Sequence, residues 1–299
     1  MQAIDQVALQ FNPSALLGLN IVLGLVMFGI ALDLKLKDFK EAFSTPKGLV
    51  LAIFGHHVLF PAMTFVLISI IQPIPSIALG MILVSACPAG HVSNFLTHIS
   101  KGNAALSVSA SAISTVLAIF LTPINFNFWG NLHPITHSLM RSIEIDALHM
   151  LKDIAILLGI PLILGMLIAA YFPVFAQKAQ KPMKRFSMVV FASFIVMALA
   201  ANFKNFMNYI EFVVIVVAIH NALALLTGYT LSSLLNLPER DKRAITFEMG
   251  IQNSGLGLIL IFNMFSGLGG MAIVTAWWGV WHIVSGGALA WFWSKKQLN

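Results

Sequence analysis

The sequence predicts an all-α integral membrane protein of nine transmembrane helices. They form inverted repeats with the first helix of repeat one missing, and two of them are discontinuous helices that cross. Three observations carry this expectation. Of 299 residues, 59% are hydrophobic and 9% charged, where a soluble domain carries about 25% charge. Nine apolar runs follow one another along the chain, each near the ~20 residues that cross a hydrocarbon core. Two of the runs are broken by polar, Gly or Pro residues at matching places in the two halves.

In order, the runs cover 14–34, 48–71, 76–99, 102–123, 148–171, 186–203, 209–234, 241–265 and 270–293. The second holds His56 and His57. The third is interrupted from Cys87 to Asn94 and the eighth from Glu248 to Ser254. Residues 124–147 read as the longest connection, with Glu144 and Asp146 near its end. The chain reads as a single transmembrane unit over 1–299, with no soluble domain. Its formal net charge of +6 comes from basic residues in short groups between apolar runs, which points to a lipid bilayer as partner and not to nucleic acid. The lone Cys87 excludes an intrachain disulfide. The first twenty residues contain Asp5 and no Lys or Arg, so they lack the basic start of a cleaved signal peptide.

Lys and Arg positions set the expected orientation. With the N-terminus outside, the inner segments hold Lys35, Lys37, Lys40 and Lys47, then Lys101, then Lys178, Lys181, Lys184 and Arg185. Arg240, Lys242 and Arg243 follow, with Lys295 and Lys296 in the tail. That places 14 of 17 basic residues inside and only Arg141, Lys152 and Lys204 outside. The positive-inside rule therefore gives N-out, C-in and an odd number of spans.

The halves resemble each other. Ala31-Leu32 leads to Lys37-Asp38-Phe39 as Ala198-Leu199 leads to Lys204-Asn205-Phe206. A span with adjacent polar residues follows in each, His56-His57 and His220-Asn221, and then a broken span. Matching spans cross in opposite directions, so the repeats are inverted. The second half has one span more, at 148–171, so the parent repeat has five spans and the first has lost one. Interrupted segments at matching places in two halves are the strongest sequence pointer to a transporter binding site.

The eighth run carries the sharpest chemistry: Glu248, Gln252, Asn253 and Ser254, with Gly250 and Gly255 among them. A carboxylate at the bilayer centre costs ~2.5–3.5 kcal/mol or more, so Glu248 reads as functional. The bland alternative is a polar packing spot between helices. In the third run, Pro88 removes a backbone donor and Gly90 can take conformations closed to other residues. Ser93 and Ser254 are candidate N-caps of the half-helices that follow. Half-helix N-termini offer N–H groups to an anion, while hydroxyls, unwound carbonyls and a carboxylate offer hard oxygens to a cation such as Na⁺. Asn103, Ser107 and Ser111 lie on the next span, and positions 107 and 111 share a helix face. On their own, those serines would more often mark close packing.

A membrane enzyme is the alternative from another class. No His-Glu-x-x-His motif occurs, and adjacent histidines on one helix cannot converge on one ion. A receptor or structural role would leave the double break unexplained. Within transporters, the alternative is a proton-coupled or sodium/proton-antiporter-like protein, in which His56 could carry a proton.

The stretches Cys-Pro-Ala-Gly-x-x-Ser-Asn (87–94), Lys-Gly-Asn-Ala-Ala-Leu-Ser (101–107) and Glu-Met-Gly-Ile-Gln-Asn-Ser-Gly-Leu (248–256) resemble the bile acid:sodium symporter family. Phe28-Gly29-Ile30-Ala31-Leu32 is similar to the opening of its first repeat. The resemblance runs from about residue 20 to 290. It implies a panel (14–34 and 148–203) and a core (48–123 and 209–293) holding the crossed helices. It also implies sodium-coupled uptake of an organic anion of the bile acid, pantoate or small carboxylate class, in a bacterial inner membrane. One sodium site carries over onto Ser93, Asn94, Ser107, Ser111 and Glu248. A second carries over onto the side chains of Glu248 and Gln252 with the carbonyls of Met249 and Ile251. Its remaining ligand, a Gln five residues before a Pro, falls on His56, whose imidazole is a poor ligand for an alkali cation. The substrate would meet His91, Ser93, Asn94, Asn253 and Ser254. His91 stands where relatives tend to have a small residue, and reads equally as an anion contact or as a polar filler. His57 and His282 read as packed core residues. His220 and Asn221 read as structural interhelical partners or as braces for the crossing.

Overall fold

The computed structural model describes residues 13–32, 46–143, 147–201 and 203–296. Lys35, Lys37, Lys40, Glu144 and Asp146 lie outside the described residues. Among the described residues every extended element is a helix. Among the described residues five stretches are long and apolar enough to cross a membrane: Pro46–Ile71, Ala104–Leu132, Leu148–Tyr171, Met207–Leu234 and Gly269–Ser294.

Helix α1 spans Pro13–Ala31. Helix α2, Pro46–Ile71, passes through a π-helical turn at Gly55–Leu59. The turn has a local cause. Pro61 has no N–H to give the carbonyl four residues back, and its ring would collide with it. That carbonyl belongs to His57, and Asn125 Nδ2 donates to it at 2.9 Å instead. A second π-helical turn, Ala155–Gly159, precedes Pro161 in helix α7, which joins Ala147–Ile154 to Ile160–Tyr171.

The third apolar run forms two helices, α3 (Pro75–Ala86) and α4 (Val92–Ile99). The eighth likewise forms α10 (Glu239–Gly250) and α11 (Ser254–Met264). Between them lie α5 (Ala104–Leu132), α6 (Pro134–Ile143), α8 (Pro173–Ala201) and α9 (Phe203–Leu234). Helix α12 (Gly269–Ser294) closes the described chain.

Two sequence expectations change here. The fourth run does not stop at 123. Helix α5 carries Pro123 in its interior and continues to Leu132, and α6 fills most of the expected connection. The sixth run begins at Pro173, so the segment around Lys178 and Lys181 is helix α8 with Pro182 inside it, not a loop. Proline removes one bond, but in an apolar medium a chain that left the helix would forfeit many more.

Helix α1 packs on α7 and α8, which pack on each other. A Cβ at Gly165 of α7 would sit 2.8 Å from the carbonyl oxygen of Phe28, so the two backbones touch. The larger group surrounds the broken helices: α10 lies on α9, α4 and α5, and α12 on α3, α4, α9 and α11.

Arg243, expected at an inner loop, is 1% exposed within α10. Its Nη1 donates to the carbonyls of Ser100 (2.5 Å) and Trp293 (3.1 Å), and its Nε to Glu239 Oε1 (3.2 Å). A cation thus serves carbonyls at the C-terminal, negative ends of α4 and α12. Nearby, Asn103 caps α5 by accepting from the Leu106 N–H (3.1 Å) and donates to Asp241 Oδ1 (2.7 Å). Asn103→Ala removes both bonds. It should lower stability by about 0.5–2 kcal/mol, read as a reduced thermal midpoint in detergent while sodium binding persists.

Candidate functional site

Helix α3 ends at Ala86 and α10 at Gly250 because Pro88 and the glycine at 250 weaken continuation there. In the gaps the two chains meet as a two-residue antiparallel pairing of Ala89 with Gln252. The Gly90 N–H donates to the Ile251 carbonyl (2.7 Å) and the Asn253 N–H to the Pro88 carbonyl (2.9 Å). Each break therefore satisfies the backbone of the other, as irregular backbone within a membrane requires.

Gly90 is needed for space. Among the described glycines only Gly267 has a positive φ. A Cβ at Gly90 would lie 2.8 Å from the Gln252 carbonyl oxygen. The expected serine caps are also replaced. His91 occupies the cap position of α4 but its side chain does not cap the helix, and Asn253 caps α11 by accepting from the Leu256 N–H at 3.0 Å. Ser93 and Ser254 lie inside the first turns, which frees their hydroxyls from capping.

The remaining carbonyls at the breaks are held by side chains from elsewhere. Thr122 Oγ1 donates to the Ala86 carbonyl (2.7 Å), and Asn221 Nδ2 to that of Gly250 (2.7 Å). Asn221 is itself held by the Ser285 hydroxyl (2.5 Å). His56 lies between the two breaks, with Nδ1 3.0 Å from the Glu248 carbonyl and Nε2 2.8 Å from the Cys87 carbonyl. Whichever nitrogen carries the proton donates, and the ring presents no oxygen. Sequence reasoning missed Thr122 and Asn125, whose only signal is a polar side chain in an apolar run.

Five predicted residues come together beside the crossing. Ser107 Oγ donates to Asn94 Oδ1 (2.8 Å). Ser111 Oγ lies 2.7 Å from Glu248 Oε2, 3.1 Å from Asn94 Oδ1 and 3.3 Å from Ser93 Oγ. Its single proton can serve only one of these acceptors. Glu248 is 1% exposed, and its Oε1 has no hydrogen-bond partner. Among the described residues no ion pair involves it. Burying an unpaired carboxylate costs several kcal/mol, so a ring of oxygens around a lone anion is suited to a hard cation.

The residues of the second expected site lie at the break of α10. Gln252 Nε2 donates to the Met249 carbonyl (2.8 Å), and the Ile251 carbonyl already accepts from Gly90. Gln252 Oε1 is buried without a partner. His91 and Asn253 flank the crossing and are half-buried, while Ser254 is buried.

Three further histidines, His57, His220 and His282, are buried. Trp278 Nε1 donates to His220 Nδ1 (3.1 Å), which fixes the His220 proton on Nε2, where it donates to Thr64 Oγ1 (2.8 Å). His57 Nε2 lies 2.9 Å from Ser114 Oγ, and the His282 ring packs 6.0 Å from that of Trp278.

The model of the Sodium Bile acid symporter family matches residues 20–209. The "Uncharacterized sodium-dependent transporter YocS" of Bacillus subtilis (strain 168) is 33% identical over 278 residues, covering 93% of this chain and 83% of that protein. The "Probable sodium/metabolite cotransporter BASS1, chloroplastic" of Arabidopsis thaliana is 30% identical over 281 residues, covering 93% of this chain and 67% of that protein. The "Probable sodium/metabolite cotransporter BASS2, chloroplastic" of Oryza sativa subsp. japonica is 28% identical over 276 residues, covering 92% and 64%.

Proposed function

The chain belongs to the Sodium Bile acid symporter family, and from that premise we propose that it is a secondary active transporter coupling sodium entry to uptake of an organic anion by alternating access. The observation that carries this reading is the unpartnered Oε1 of buried Glu248 beside the oxygens of Ser93, Asn94, Ser107 and Ser111. Na⁺ is a substrate here. It enters that ring, neutralises Glu248 and holds α4, α5 and α10 together.

The anion then binds at the start of α4 and α11, where His91, Ser93, Asn94, Asn253 and Ser254 stand. The positive ends of two helix dipoles favour a carboxylate there. In this reading α1, α7 and α8 form the panel against which the core moves. The chain crosses a bacterial inner membrane nine times as inverted repeats, N-terminus outside and C-terminus inside. The bile acid, pantoate and small carboxylate classes are the candidate substrates.

The test is a thermal-stabilisation screen of organic anions in Na⁺ or K⁺ at each of several pH values. An anion should stabilise the protein in Na⁺ and not in K⁺. Stabilisation that is equal in both, or that follows pH and not Na⁺, would replace sodium with a proton as the coupling ion.

His56 supplies no oxygen to a second ion. One sodium therefore accompanies one anion, and a monoanion crosses without net charge. Each uncompensated charge would gain ~2.3 kcal/mol per 100 mV, so the distinction is measurable. Proteoliposomes should give uptake of the monoanion found in the screen without an inward current. A sodium-dependent current would establish a second sodium.

A further inference from the structure

One polar contact joins α1 to the half-helix that begins at the crossing. Asn20 Nδ2 donates to Asn263 Oδ1 (3.0 Å), and Asn263 Nδ2 returns a bond to Asn20 Oδ1 (2.7 Å). Asn263 Nδ2 also donates to the Ile259 carbonyl of its own helix (2.9 Å). Both residues are half-buried. Helix α12 begins beside the end of α11 and ends at Ser294, next to Trp293, whose carbonyl binds Arg243. The asparagine pair is therefore at the opposite end of the molecule from Arg243, Lys295 and Lys296. The other end of α1 is tied to its own group, with Gln180 Nε2 donating to the Leu32 carbonyl (2.8 Å) and Ala31 against Gly165.

We propose that Asn20 and Asn263 are positioning residues of the transport cycle. They form a clasp that holds α1 to α11 on the outer side and parts when the core moves; this rests on the transporter reading above. The physical reason is reciprocity. Two carboxamides facing each other satisfy one another, and parting them leaves donors and acceptors that lipid cannot serve. Water can serve them. The pair therefore separates only when the seam between α1 and α11 is wetted, which ties opening of this side to hydration. Apolar residues at the same places would let the seam slide dry.

The experiment uses the full-length protein in liposomes with Asn20→Cys and Asn263→Cys together. Cys87 is buried and is left in place. A short bis-methanethiosulfonate reagent is applied in Na⁺ or in K⁺, and ²²Na⁺ binding to the unmodified protein is measured in parallel. The rate of cross-linking should differ by about threefold or more between the two ions, and adding Glu248→Gln should erase the difference. Should the double variant not assemble, Asn263→Cys alone is labelled with a membrane-impermeant maleimide, with the same sodium dependence expected.

A bond that serves only stability would react equally in both ions. Equal rates with ²²Na⁺ binding intact would overturn the clasp and leave the transporter reading standing. Failure to cross-link in either ion would also overturn it. Absence of ²²Na⁺ binding to the unmodified protein would remove the transporter reading and the clasp with it.

Discussion

Glu248→Gln should abolish sodium binding while leaving a folded protein. The substitution keeps the shape and the Oε atom nearest Ser111, but it removes the only formal charge in the oxygen ring. Removing one partner of a buried charge pair costs about 3–5 kcal/mol, which is about two to nearly four orders of magnitude in affinity. The same change relieves the unpaired carboxylate when sodium is absent. The variant should therefore melt at or above the parent's temperature in K⁺ and no longer respond to Na⁺. The parent should gain stability as Na⁺ rises, since a ligand bound only by the native state stabilises it. Both are read by thermal melting in matched Na⁺ and K⁺ buffers with ²²Na⁺ equilibrium binding. Wild-type affinity in Glu248→Gln would remove the carboxylate from the site.

Gly90→Ala should be the most damaging small substitution at the crossing. Its Cβ would lie 2.8 Å from a backbone oxygen, that of Gln252, and 3.2 Å from the carbon of the same carbonyl. Neither can swing away, because the carbonyl belongs to the paired segment. The breaks must move apart, stretching the bonds from Gly90 to Ile251 and from Asn253 to Pro88. Overpacking of this kind costs about 1–3 kcal/mol, and two buried backbone bonds are weakened besides. Sodium binding and transport should be lost together.

Gly250→Ala provides the contrast. Its Cβ meets the Leu225 side chain, not backbone. The damage should be smaller, and Leu225→Ala should restore much of it. The measurement is folded yield and ²²Na⁺ binding across Gly90→Ala, Gly250→Ala and the Gly250→Ala/Leu225→Ala pair. Equal damage from the two single variants, or no rescue by Leu225→Ala, would contradict this account.

Much of the architecture is legible in the sequence because the bilayer restricts what a chain can do. Apolar runs become helices, and polar groups inside one announce a break. The ends of α2, α3, α4, α10, α11 and α12 fall within a few residues of the expected runs. The helical stretch from Pro123 to Leu132 is not legible, because a proline and several asparagines imitate a loop. The Asn125 Nδ2 finds its acceptor, the His57 carbonyl, only once α2 lies beside it. The oxygen ring is legible from residue types and from positions 107 and 111 on one helix face. The reason for Gly90 is not, since a close approach depends on which distant backbone arrives there. For the same reason the sequence suggests Ser93 and Ser254 as caps. A cap is chosen by the direction in which the chain enters the helix, and here the crossing sets that direction.

The pairing of the two breaks also constrains how the protein is made. Pro88 and Gly90 emerge from the ribosome about 160 residues before Ile251 and Asn253, their hydrogen-bond partners. At about 5–20 residues per second of synthesis, the amino-terminal half waits roughly 8–30 seconds with an open peptide segment among apolar helices. During that interval the nascent chain needs shelter from the insertion machinery or from trapped water. Fragments that end before residue 250 should accordingly be cleared by quality-control proteases, and co-expression with the missing half should rescue them.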